Sequence, residues 1–215
     1  MLGQNLEPVQ IADLVAAERR LRGVFPPSPL LSMAPLNQKL GRPVFLKAES
    51  LLPSGAYKFR GATNKITTLM ETYGPEIGII TASSGNHGMA CALAASRLGI
   101  SAAVVVPVPT PQIKKDSIRA LGAQLVEVGE TYDESFLAAC EMAEKERRFY
   151  VHPVSDRYTV AGQGTITLEL LDQLPDVDQV IVPIGGGGLI TGISFAMKHL
   201  RAAPCTTPPA GPESC

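Results

Sequence analysis

One lysine, in Ser54-Gly55-Ala56-Tyr57-Lys58-Phe59-Arg60-Gly61-Ala62, opens a helical pattern just after a strand-like run at 43–49. An amine placed there becomes a nucleophile or a base when burial or nearby positive charge lowers its pKa. The bland role is a solvated surface lysine, and the helix dipole disfavours its charge. Arg60 suits a different task, pairing with a carboxylate to fix the helix. Two later stretches give Lys58 company: Ser83-Ser84-Gly85-Asn86-His87-Gly88 and Gly185-Gly186-Gly187-Gly188-Leu189. Ser83, Ser84 and Asn86 stand where a helix begins, so they either cap it or turn the same donors on a carboxylate. The Asn86 amide could also meet a ring oxygen, and His87 is either a ligand contact or a first-turn surface residue.

Four successive glycines between a strand and a helix let backbone N–H groups approach an anion, with the helix dipole in support. Glycines also serve tight turns. A dinucleotide fingerprint of the GxGxxG type fails on spacing, because its third glycine falls on Ile190 or Thr191. An amine, an amide-bearing turn and a monophosphate cradle together suit pyridoxal 5′-phosphate and a small-molecule substrate.

The elements that must position these residues follow from periodicity. Helices are expected at about 10–21, 58–73, 86–98, 111–121, 132–147, 159–174 and from the glycine run to about 200. Strands are expected at about 43–49, 77–82, 102–106, 124–128, 149–152 and 180–183. Residues 25–30, rich in proline, are expected to be irregular. Alternating apolar strands and amphipathic helices mean α/β with mostly parallel sheets. In such sheets ligands bind beyond the carboxyl ends of the strands, where all three stretches lie. Residues 201–215, with prolines at 204, 208, 209 and 212, read as an irregular tail.

The length of 215 residues allows one large or two small domains, and 45% apolar with 18% charged residues fits an ordinary soluble enzyme. A net charge of −1 argues against a nucleic-acid or membrane binder. No apolar run approaches the ~20 residues of a membrane span, and the N-terminus is unlike a signal peptide, so a cytoplasmic protein is expected. Cys91, Cys140, Cys205 and Cys215 show neither a disulfide framework nor metal spacing. Cys91 and Cys140 fall in alanine-rich helical patterns, as small buried apolar groups.

From about Pro29 to Lys198 the chain resembles the fold-type II pyridoxal-phosphate enzymes, in the branch of the serine/threonine dehydratases and serine racemases. The resemblance rests on SGAYKFRGA around Lys58, SSGNHG at 83–88, AGQGT at 161–165 with the following Glu169, and VPIGGGGL at 182–189. It implies two three-layer αβα domains. A small one at 76–152 is inserted between two parts of a cofactor domain, 1–75 and 153–215. It implies that Lys58 carries the cofactor as a Schiff base and serves as the base on the substrate α-carbon. Phe59 would lie beside the cofactor, Asn86 would bond its phenolic oxygen, and Gly185, Gly186, Gly187, Gly188 and Leu189 would hold its phosphate. Ser83, Ser84, Asn86 and His87 would bind the substrate carboxylate, and Ser84 would serve the opposite face in a racemase. No metal ligand is implied in this part. The implied activity is an ammonia-lyase that turns a β-hydroxy amino acid into a 2-oxo acid and ammonia, in a homodimer or larger homo-oligomer. An amino-acid racemase and a shortened, catalytically impaired protein remain open. Ala56 departs from the serine common at that position. Relatives continue for on the order of 100 residues that residues 201–215 do not resemble, so a truncated or frame-altered chain is expected.

Overall fold

The computed structural model describes residues 7–201, and the expectation for the tail at 202–215 lies outside them. Arg201, expected in the tail, is the last residue of a helix. The chain opens with α1 (Ile11–Leu21), started by a reciprocal cap between Gln10 and Asp13. Residues 26–29 are irregular as expected, but Leu30, expected to be irregular with them, opens a strand because its backbone pairs with that of Lys47. Beyond them come two elements that the sequence pattern did not signal, β1 (Leu30–Ser32) and α2 (Ala34–Leu40). β1 pairs antiparallel with β2 (Phe45–Lys47), Leu31 opposite Leu46. A 3₁₀ turn at Glu49–Leu51 then leads into α3 (Lys58–Tyr73).

The main sheet is built from β3 (Gly78–Ala82), β4 (Ser101–Val106), β5 (Gln124–Glu127) and β6 (Phe149–Tyr150), all parallel, in the order β5-β4-β3-β6. Helices α4 (Asn86–Leu98), α5 (Gln112–Ala120) and α6 (Tyr132–Lys145) connect the strands. Both faces of the sheet are buried, as parallel strands require. Ile79, Ala102, Val104 and Val106 face α3 and α4, while Ile80, Ala82, Ala103 and Val105 face Ala139 and Ala143 of α6. Thr131 and Glu134 form the capping box that starts α6. The fold class is α/β, as the alternation of elements indicated.

α7 (Arg157–Gln173) and α8 (Gly188–Arg201) complete the described chain. α7 begins two residues earlier than periodicity suggested, because the Asp156 carboxylate accepts from Tyr158 N and Thr159 N at 3.0 Å each. The AGQGT stretch at 161–165 serves packing. A Cβ on Gly162 would lie 2.6 Å from Gly61 Cα, so α3 and α7 cross with backbones nearly touching. The strand expected at 180–183 does not form. No other strand lies beside this run among the described residues, and Ile181 is 94% exposed.

Candidate active site

The order of the sheet reverses beside β3. From β3 the chain steps outward to β4 and β5, then returns to place β6 on the other side of β3. The loop after β3 (83–85) and the segment after β6 (151–156) therefore lie side by side at the carboxyl ends of neighbouring strands, the usual ligand position of an open parallel sheet. The first turn of α3 brings Lys58 to the same place.

The segment Val151–Asp156 is where the predicted residues meet. Lys58 Nζ donates to the Pro153 carbonyl at 2.8 Å. His87 Nε2–H donates to the Val151 carbonyl at 3.0 Å. The glycine run leans on the same segment from above: a Cβ on Gly186 would stand 2.7 Å from Val154 Cγ2, and one on Gly188 3.4 Å from Val154 Cα. Gly187 takes φ +92°, a conformation that favours glycine. Thr191 N donates to Gly187 O at 2.9 Å, closing the first turn of α8.

The electrostatics suit a reactive amine. Among the described residues Lys58 makes no ion pair, and burial lowers its pKa, with a small opposing pull from Cys91. Burial also pushes His87 down to about 3, and the Lys58 charge adds to that shift despite the bond to Val151. His87 is therefore a neutral imidazole. Its Nδ1 is buried without a hydrogen-bond partner, and Cys91 Sγ lies 3.5 Å from Nε2. What His87 offers a carboxylate is its backbone N–H at the start of α4, not a cationic ring. His152 is half-buried, and its Nδ1 accepts from Val154 N at 3.0 Å and Ser155 N at 2.7 Å. Its proton therefore sits on Nε2.

The remaining predicted residues divide. Ser83 is held just beyond β3, its N donating to Val105 O and its Oγ accepting from Gly85 N at 3.2 Å. Ser84 is half-buried and Asn86 exposed, and neither side chain bonds to protein among the described residues. Gly85, not Asn86 or a serine, occupies the cap position of α4, with no side chain capping the helix. The first N–H groups of α4 thus remain open to a ligand. Gly185 is exposed and Leu189 half-buried. Phe59 is not brought into the group by its ring, which is wholly buried, 5.6 Å from Phe25 and beneath the Arg97 guanidinium. Burying that ring contributes about 2–3 kcal/mol to holding α3.

Arg60 fixes the helix that carries Lys58. Its guanidinium, 1% exposed, meets Glu49 at 2.7 Å and Glu169 at 2.6 Å, while Lys47 meets Glu169 at 2.6 Å. α3, α7, β2 and the 3₁₀ turn are tied through these four side chains. The sequence did not single out Val154, Pro153 or Asp156. Asp156, an N-cap residue ahead of a helical run, carried a usable signal.

A family model described as pyridoxal-phosphate dependent enzyme matches residues 21–211. The chain belongs to that family. It is 42% identical over 193 residues to an L-threonine ammonia-lyase of Thermotoga maritima, covering 90% of this chain and 48% of that protein. It is 41% identical over 199 residues to the catabolic L-threonine dehydratase TdcB of Staphylococcus aureus, covering 92% and 57%. Among solved structures, maize serine racemase superposes with a TM-score of 0.85 at 34% identity, covering 90% of this chain and 59% of that one. The processed threonine deaminase isoform 2 of Solanum lycopersicum gives 0.83 at 36%, covering 93% and 60%. The chain spans about half the length of the curated relatives it matches.

The residues present fit the family's cofactor. Gly186 packs so closely on Val154 that a Cβ would lie 2.7 Å from its Cγ2, while the positions of Gly185 and Gly187 stay open, leaving main chain free to face an anion. Lys58 is a half-buried amine held by a carbonyl instead of a carboxylate.

Proposed function

We propose that this chain carries the lysine and the phosphate loop of a pyridoxal-phosphate-dependent ammonia-lyase acting on a β-hydroxy amino acid such as threonine or serine. The observation that carries the reading is the meeting of Lys58 and the glycine loop on one segment, through Pro153 and Val154. Similarity to threonine ammonia-lyases supports the substrate class.

In this reading Lys58 Nζ anchors the cofactor, and Gly185–Gly188 with the Leu189 N–H hold its phosphate. Asn86 bonds its phenolic oxygen, and the backbone of Phe59 passes beside it. When bound, the cofactor supplies an electron sink that acidifies the substrate α-proton. Lys58 Nζ, its pKa lowered by burial, then takes that proton as a general base. Donors at Ser83, Ser84, Asn86 and His87 orient the substrate carboxylate, and the neutral His87 leaves no competing positive charge beside the lysine. Loss of the β-hydroxyl as water leaves an enamine, which tautomerises and takes up water to yield a 2-oxo acid and ammonia. A racemase using Lys58 and Ser84 is the second reading, favoured by the likeness to maize serine racemase.

The domain division is part of the proposal: a small domain at 76–152, supported by the sheet drawn from Gly78–Tyr150, between cofactor-domain parts at 1–75 and 153–215. A cytoplasmic protein is proposed on composition, and a homodimer or larger homo-oligomer on the family resemblance. Among the described residues no helix is long and apolar enough to cross a membrane.

The deciding experiment adds pyridoxal phosphate to the purified chain, records the visible absorbance, reduces with borohydride and maps the label. A yellow band fixed at Lys58, and absent in Lys58→Ala, is expected. A label on any other lysine would overturn the assignment. With threonine or serine, a 2-oxo acid marks the lyase and the D-enantiomer the racemase.

A further inference from the structure

Lys58 and Lys65 are seven residues apart on α3, on one face two turns from each other, and both grip the segment after β6. Lys58 Nζ holds the Pro153 carbonyl at 2.8 Å. Lys65 Nζ pairs with Asp156 Oδ2 at 2.6 Å, the two side chains 2% and 1% exposed. Asp156 uses its other oxygen to cap α7, and its N donates to the Val154 carbonyl at 3.0 Å. Between the two grips sits Val154, the residue on which Gly186 and Gly188 rest.

The two grips differ in one respect. An amine that anchors a cofactor or takes a proton cannot keep donating to Pro153, so the first grip opens during turnover. The second involves no reacting atom. It is out of water and weakly screened, and removing one partner of such a pair is costly because the other charge stays buried.

We propose that Lys65 and Asp156 are positioning residues whose ion pair keeps Val154 beneath the glycine loop when Lys58 has released Pro153, so that the loop retains the shape that accepts a phosphate. The inference rests on the reading of Lys58 and the glycine loop given above. Its signature is selective. Loss of the pair weakens binding of the phosphorylated cofactor and leaves binding of its dephosphorylated form, pyridoxal, nearly unchanged. A merely structural loss would weaken both together.

The test titrates the full chain with pyridoxal phosphate and with pyridoxal, reading the visible band, for the unaltered protein, Lys65→Met and Asp156→Asn. The preference for the phosphorylated form is expected to fall about tenfold in the variants, with pyridoxal affinity held within about twofold, the scale on which outer positioning contacts act. Val154→Ala, which leaves the pair intact, should lower the preference in the same way. If Lys65→Met fails to fold by circular dichroism, Asp156→Asn decides by the same ratio, since its Oδ1 still caps α7. A preference that survives the substitutions overturns the positioning role alone. No preference in the unaltered chain overturns the parent reading, and this one with it.

Discussion

Lys58 Nζ and the carbonyl oxygen of Pro153 stand 2.8 Å apart across 95 residues of chain. That bond gives the amine a fixed direction without giving it a counter-charge, and burial lowers its pKa. A carboxylate in the place of the carbonyl would do the reverse, holding the proton and silencing the nucleophile. The site is therefore poised by what is missing from its neighbourhood as much as by what is present.

The fit between the glycine loop and its floor can be tested directly. Gly186→Ala puts a methyl group 2.7 Å from Val154 Cγ2, and a β-branched side chain has little rotamer freedom with which to yield. Pyridoxal-phosphate affinity should drop about tenfold or more, consistent with an overpacking cost of about 1–3 kcal/mol. Adding Val154→Ala should restore part of it. Additive losses in the double variant would show that the two residues do not act through each other.

Acid should loosen the tie between α3 and α7. Burial alone would raise the Glu169 carboxyl, but hydrogen bonds and charge from Arg60 and Lys47 outweigh it and hold the pKa below 4.5. A depressed carboxylate stabilises the fold above its unfolded pKa, and that contribution fades as pH falls through the folded value. Glu169→Gln should cost about 3–5 kcal/mol at neutral pH, as when one partner of a buried pair is removed. In urea melts, the gap from the unaltered protein should narrow below about pH 4.5. A gap that stays constant with pH would exclude this carboxylate as the acid-sensitive group.

His87 gives a second pH dependence at a different place on the scale. Folded, it stays neutral down to about 3; unfolded, it takes a proton near 6.5. The unfolded chain binds more protons in that window, so stability should fall as pH drops below about 6.5, by up to about 1.4 kcal/mol per pH unit. His87→Asn, whose amide can still donate to Val151 O, should flatten the slope between about pH 6 and 5. An unaltered slope would assign it to other groups, His152 first among them, since burial lowers that ring as well.

The long helices and the central strands were legible in the sequence because their apolar spacing matches burial on a defined face, as at Phe59, Ala62, Ile66 and Leu69 of α3. α2 was not, since it buries no residue at all and so carries no apolar stripe. The run at 180–183 erred in the opposite direction: its residues favour a strand, but a strand is defined by its neighbour, and none lies there among the described residues. The separate parts of the site were readable as residue types near turns. Their meeting on Pro153 and Val154 was not, because a carbonyl and a valine have no signature outside the contacts they make. AGQGT was legible only as a motif of the resemblance, and its packing role, with Gly162 at the crossing of two helices, was not.

The unpaired run at 180–184 also bears on how solutions of this chain behave. Val180, Ile181 and Ile184 are exposed at 40%, 94% and 72%, beside main chain that no strand engages among the described residues. Such an edge invites strands from other molecules, and Pro183 interrupts it at only one position. Turbidity that rises with protein concentration is expected, and Ile181→Lys should move its onset to higher concentration while leaving the cofactor band unchanged. The practical limit on handling the protein would then be colloidal, set by the exposed run that leads into the glycine loop.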